Sequence, residues 1–144
     1  MRIDGQWLVC EDSIVRPVIR GEVLAEDQSW VAVEFLVDIG ADRTVLSAAI
    51  LHRLGLAHSE STEGISGLGG TTQCVGVETI LHLSRETGKP VAFKGRFIGV
   101  VDPIALDISV LGRDILDLFS VIVDRAQDVV CLLRERHTYA IIHD

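Results

Sequence analysis

The chain has 144 residues, enough for one compact domain and too few for two substantial ones. Hydrophobic residues make up 48% and charged residues 24%, which is the composition of a globular protein rather than a disordered one. The formal net charge of -8 argues against nucleic acid as the main partner, because phosphate binding needs a basic face.

The opening "MRIDGQWLVCED" lacks the apolar core of a signal peptide. No apolar run approaches the roughly 20 residues that span a bilayer, so no membrane partner is expected. "WLVCEDSIVRPVIRGEVL" and "SWVAVEFLVD" carry the Val, Ile and Trp enrichment of strands, with "LAEDQS" (24–29) as a polar turn. In "VLSAAILHRLGL", Leu46, Ile50, Leu51 and Leu54 fall at helical spacing, Ser47 is placed to cap, and Gly55 stands where a helix would stop.

Next, "STEGISGLGGTTQCVGVETILHLS" reads as a long mobile hairpin, with a glycine-rich tip between strand-like flanks. "ETGKP" (86–90) is a turn and "VAFKGRFIGVV" a strand. "DISVLGRDILDLFSVIVD" predicts strand, glycine, short helix and strand, and "RAQD" turns the chain into "VVCLLRER". The expected fold is mostly β with two short helices in a single domain over residues 1–144. A sheet of this kind needs closure or covered edges to stay soluble.

Three widely spaced cysteines (Cys10, Cys74 and Cys131) fit reduced thiols in a cytoplasmic protein. His52, His58, His82, His137 and His143 show no metal-ligand spacing and read as surface residues; no metal and no cofactor is expected. Trp7 and Trp30 read as core residues. No Gly-x-Ser-x-Gly elbow and no P-loop lysine motif is present. A dinucleotide fingerprint starting at Gly67 fails because position 72 is Thr72.

The stretch that carries chemistry is "FLVDIGADRTVLS" (35–47), where Asp38 closes an apolar strand one residue before Gly40. A carboxylate at the end of a buried strand is costly unless hydrogen bonds or a function compensate. In one reading Asp38 only shapes a turn, accepting bonds from the amides of Gly40 and Ala41. The other reading comes from the order of three elements: Asp38-Ile39-Gly40-Ala41-Asp42, then the hairpin "GISGLGG", then "SVLGRDIL". In that order and at this size they resemble the retroviral-type (retropepsin-like) aspartic proteases, over roughly residues 14–133. The helix "SAAILHRLGL" is more similar to cellular and bacterial members than to the compact viral enzymes.

The resemblance implies a closed β-barrel with a flap hairpin, and Asp38 as the catalytic residue of an aspartic endopeptidase, a hydrolase. Ile39, Gly40 and Ala41 would form the active-site loop, with Gly40 permitting the tight turn. Asp42, Gly67, Leu68 and Gly69 would meet an extended peptide or unfolded protein substrate. Thr44, Gly112, Arg113 and Asp114 would support the loop, Arg113 pairing with Asp42. Two aspartates held close share one proton and polarise a water toward the scissile carbonyl. This chain has a single Asp-x-Gly, so the dyad requires a homodimer with the site on its two-fold axis.

Ile39 departs from the family pattern, which places Thr or Ser there. The hydroxyl of that residue hydrogen-bonds across the axis, whereas isoleucine can neither donate nor accept. Two alternatives to an active protease therefore stand: a catalytically impaired retropepsin-like peptide-binding or dimerisation module, and an unrelated β-barrel binding protein.

Overall fold

A computed structural model of the chain describes residues 1–61, 65–67 and 70–134, with backbone only at 65–67, 70 and 71. The N-terminal strands are β1 (Arg2–Asp4), β2 (Gln6–Val9), β3 (Val15–Leu24), β4 (Trp30–Val37) and β5 (Val45–Leu46), followed by helix α1 (Ala48–Leu54). Then come β6 (Ser59–Glu60), β7 (Ile65–Gly67), β8 (Gly70–Thr72), β9 (Cys74–Leu83) and β10 (Val91–Val100). The chain continues through β11 (Ser109–Leu111), helix α2 (Arg113–Leu116), β12 (Ser120–Asp124) and β13 (Val129–Leu133).

Six strands close on themselves in the order β3-β4-β11-β5-β10-β9, with β9 pairing back onto β3 through Gly21↔Leu83, Glu22↔His82 and Val23↔Leu81. Closure removes the open edges that a sheet this apolar would otherwise expose. Along β4, period-2 alternation turns Val31, Val33, Phe35 and Val37 inward. They join Ile19, Leu81, Leu83, Leu111 and Leu116 in the main core. A smaller cluster of Val45, Cys74, Ile98, Val100 and Val110 carries Leu36, Ala41 and Leu106 against it. The site loop therefore rests on packed side chains. Outside the barrel, β1, β13 and β12 form a separate three-stranded antiparallel sheet.

The expected mostly-β fold, two short helices and closed barrel are all present. Some local expectations fail for physical reasons. Leu46 belongs to β5, not to the helix, because Val45 and Leu46 are drawn into pairing with β10 and β11. Tertiary pairing overrides the local helical spacing. Ser47 occupies the cap position of α1 but its side chain makes no capping bond. Its backbone amide instead donates to the Ser109 hydroxyl (3.0 Å). Gly55 does end α1, at a φ of 63° that glycine adopts without strain. Trp30 is 39% exposed and stacks on His82 with ring centroids 3.9 Å apart, so it is a rim residue rather than a core one. Trp7 is partly buried against the main core and donates its indole N–H to the Asp124 carbonyl (3.2 Å).

Candidate active site

Asp38 lies just past β4, where the parallel pairing of β4 with β11 runs out. Its backbone amide extends that ladder by one bond, to the Leu111 carbonyl (3.2 Å). The carboxylate Oδ1 accepts the Gly40 amide (2.9 Å), while the Ala41 amide turns to the Asp38 carbonyl (3.2 Å). The side chain thus makes one of the two turn bonds expected of it, and the backbone makes the other. Gly40 does not use a positive φ; among the described glycines only Gly55 and Gly88 do. Its lack of a side chain gives room instead, since a Cβ there would sit 3.2 Å from Asp38 Oδ1.

The loop is bolted to the start of α2. The first amides of a helix have no partner within it. Here the Arg113 amide donates to the Ala41 carbonyl (2.8 Å) and the Asp114 amide to the Asp42 carbonyl (3.2 Å). Beneath them Thr44, fully buried, donates both its amide (2.9 Å) and its hydroxyl (2.7 Å) to Asp114 Oδ1. The same hydroxyl accepts the Gly112 amide (3.1 Å). Gly112 can only be glycine: a Cβ would overlap the Arg43 carbonyl group and lie 2.8 Å from the Thr44 nitrogen.

Arg113 donates through Nη2 to Asp42 Oδ1, the contact expected from the sequence. That hydrogen bond and the Asp42 charge raise the Arg113 pKa above its ordinary value. The two side chains are 50% and 78% exposed, so solvent screens the pair and it adds little to stability. Most of the bracing therefore falls to the part-buried bonds between Thr44 and Asp114 rather than to the ion pair.

Of the residues expected to form a site, Asp38, Ile39, Gly40, Ala41, Asp42, Thr44, Gly112, Arg113 and Asp114 fall in one neighbourhood. Ile39 is 69% exposed, at the apex of the loop. Gly67 faces Gly70 across the β7–β8 ladder, while Leu68 and Gly69 lie outside the described residues. Sequence reasoning passed over Arg43 and Arg96. Arg43 Nε stands 3.6 Å from Asp114 Oδ2 and its Nη2 donates to the Arg96 carbonyl (3.1 Å). No sequence signal marks them, because both act across strands far apart in the chain.

A model of the aspartyl protease family matches residues 22–115, the span that holds the loop, the β7–β8 hairpin and the glycine entering α2. The chain belongs to that family. In fold it is similar to EIAV protease complexed with the inhibitor HBY-793, at 29% identity and a TM-score of 0.51, over 71% of this chain and 86% of that one. It is also similar to a retropepsin-like aspartic protease from Rickettsia conorii, at 20% identity and a TM-score of 0.58, over 92% of this chain and 97% of that one. The barrel of this aspartyl protease family member is thus of the retropepsin-like type. No curated protein matches its sequence.

Proposed function

We propose that the protein is a homodimeric aspartic endopeptidase, in which Asp38 of two copies forms the catalytic dyad on an extended peptide or unfolded protein. The observation that carries this is the placement of Asp38. It closes a core strand, is only half-buried, and sits on a loop bolted by backbone and part-buried side-chain bonds to α2. A rigid mount suits a group that must hold a water to within a fraction of an ångström.

The chain supplies one such acid, and a single carboxylate cannot act as base and acid on the same water. A second copy completes the pair. The neighbouring Ile39 supports this, because a large apolar side chain 69% exposed at the loop apex gains by burial against its symmetry mate. The β7–β8 hairpin takes the part of the flap, with the backbone of Gly67, Leu68 and Gly69 on the substrate, and Asp42 lines the groove. None of the three cysteines is in a disulfide, which fits a cytoplasmic location. Among the described residues no helix is long and apolar enough to cross a membrane.

Ile39 also favours the second reading, a retropepsin-like peptide-binding or dimerisation module that does not cut. It has no hydroxyl with which to fix the two loops to each other. The deciding experiment incubates the protein with an unfolded protein at mildly acidic pH. Pepstatin-sensitive cleavage, lost in Asp38→Ala, supports the protease; no cleavage by a folded dimer supports the module.

A further inference from the structure

We infer that Arg96 is a positioning residue, which ties the root of the β7–β8 hairpin to the Asp38 loop. The inference rests on the protease reading and deepens it. Arg96 lies on β10, opposite Glu78 of β9. Though exposed, its guanidinium lies across Gly76 of β9. A Cβ at Gly76 would overlap Nε, Cζ and Nη2 of Arg96, so a glycine is what leaves the seat open.

From that seat Arg96 Nη2 donates to the Glu60 carbonyl (3.3 Å) in β6. β6 pairs with β9 through Ser59↔Gly76 and Glu60↔Val75. One residue later, the Ser61 amide donates to the Cys74 carbonyl (3.2 Å), so Glu60 and Gly76 sit where the hairpin leaves and rejoins the barrel. On its other side the Arg96 carbonyl accepts Arg43 Nη2 (3.1 Å), and Arg43 Nε faces Asp114 Oδ2 (3.6 Å). Asp114 in turn holds Thr44 and, through its own amide, Asp42.

Two arginines and a glycine thus link the hairpin root to the active-site loop. The β6–β9 pairing at the root, Ser59↔Gly76 and Glu60↔Val75, is made by backbone bonds, which fix register more than the tilt of β6 over β9. The planar fork of an arginine, lying flat on a glycine, supplies that further restraint; a lysine would not.

The test measures kcat and KM separately, with melting temperature, for wild type, Arg96→Ala, Arg96→Lys, Gly76→Ala and the Gly76→Ala/Arg96→Ala double variant. Arg96→Ala and Gly76→Ala should each raise KM about two- to fivefold with kcat little changed, the size expected of one exposed charged contact. Because both changes empty the same seat, the double variant should be no worse than either single one. Arg96→Lys should recover less than half of the loss. A KM that stays put while kcat falls in step with melting temperature would mean a merely structural arginine and would overturn the inference. So would additive effects in the double variant. If wild type cleaves nothing, the protease reading fails separately. The link is then read from amide exchange at Ser61 and Gly76, which should accelerate in Arg96→Ala; unchanged exchange there overturns it.

Discussion

Thr44 and Asp114, 70 residues apart in sequence, meet beneath the Asp38 loop, where one carboxylate oxygen accepts both the amide and the hydroxyl of the threonine. The hydroxyl passes the connection on by accepting the Gly112 amide. The end of strand β11, helix α2 and the Asp38 loop are therefore tied at a single buried oxygen, Thr44 Oγ1.

Thr44→Val keeps the shape of the side chain and removes that oxygen. The Gly112 amide is left buried without its acceptor, a loss of about 1–3 kcal/mol. Urea unfolding should show the midpoint falling with an unchanged m-value, and kcat/KM should fall as well because the loop loses its mount. A variant as stable as wild type would show that the buried bond does not brace the loop.

Gly112→Ala should be more damaging than its size suggests. The added methyl meets backbone rather than a flexible side chain, namely the Arg43 carbonyl group and the Thr44 nitrogen. Relief requires moving the loop itself, at a cost of about 1–3 kcal/mol or more. Thermal unfolding measures the loss, and the activity of the remaining folded fraction should also drop.

A third prediction concerns acid. The Arg16 guanidinium, donating to both oxygens of Asp12 (2.8 and 2.6 Å), and the Ile14 amide hold the Asp12 carboxyl down, from 3.8 to about 2. A carboxylate with a depressed folded pKa adds stability above its unfolded pKa and loses it as pH falls through the folded one. The turn between β2 and β3 should therefore keep this support at the mildly acidic pH where aspartic dyads work. Asp12→Asn should be less stable than wild type at about pH 6, and the gap should close between about pH 4 and pH 2. A gap that persists unchanged at pH 2 would contradict the assignment.

Much of this was legible in the sequence, and the reason is local. Asp38-Ile39-Gly40 and Gly112-Arg113-Asp114 carry their chemistry in consecutive residues, and β4 shows its inward face by simple alternation. What could not be read depends on pairing across the barrel. Leu46 fits a helical pattern but is taken by β5, and Ser47 resembles a cap but gives its amide to Ser109. The short strands β1 and β6, of three and two residues, carry too little pattern to be seen. The Arg113–Asp42 pair was legible, yet it is exposed; the part-buried tie between Thr44 and Asp114 could be placed only once β5 and α2 were brought together. Trp30 shows that an aromatic residue at a strand start can serve the rim as well as the core.

Ile39→Thr tests what the loop apex does. A threonine would supply hydroxyls to bond across the dimer axis, each net bond being worth about 0.5–1.5 kcal/mol. If loosely held carboxylates limit the wild type, kcat/KM should rise, by about tenfold for each 1.4 kcal/mol gained in the transition state. Isoleucine would then be the element that binds the two loops by contact and leaves them free to shift. A fall in kcat/KM would show instead that apolar contact at the axis already sets the geometry.

The most direct test of the central claim, one Asp38 from each of two chains, is subunit mixing. Wild type and Asp38→Asn are co-refolded in varying ratio at constant total concentration, and cleavage of one unfolded substrate is measured. Only dimers with two aspartates should cut, so activity should follow the square of the wild-type fraction, falling to about one quarter in an equal mixture. Activity that falls only in proportion, to about one half, would mean that each chain cuts alone. That result would contradict the shared dyad.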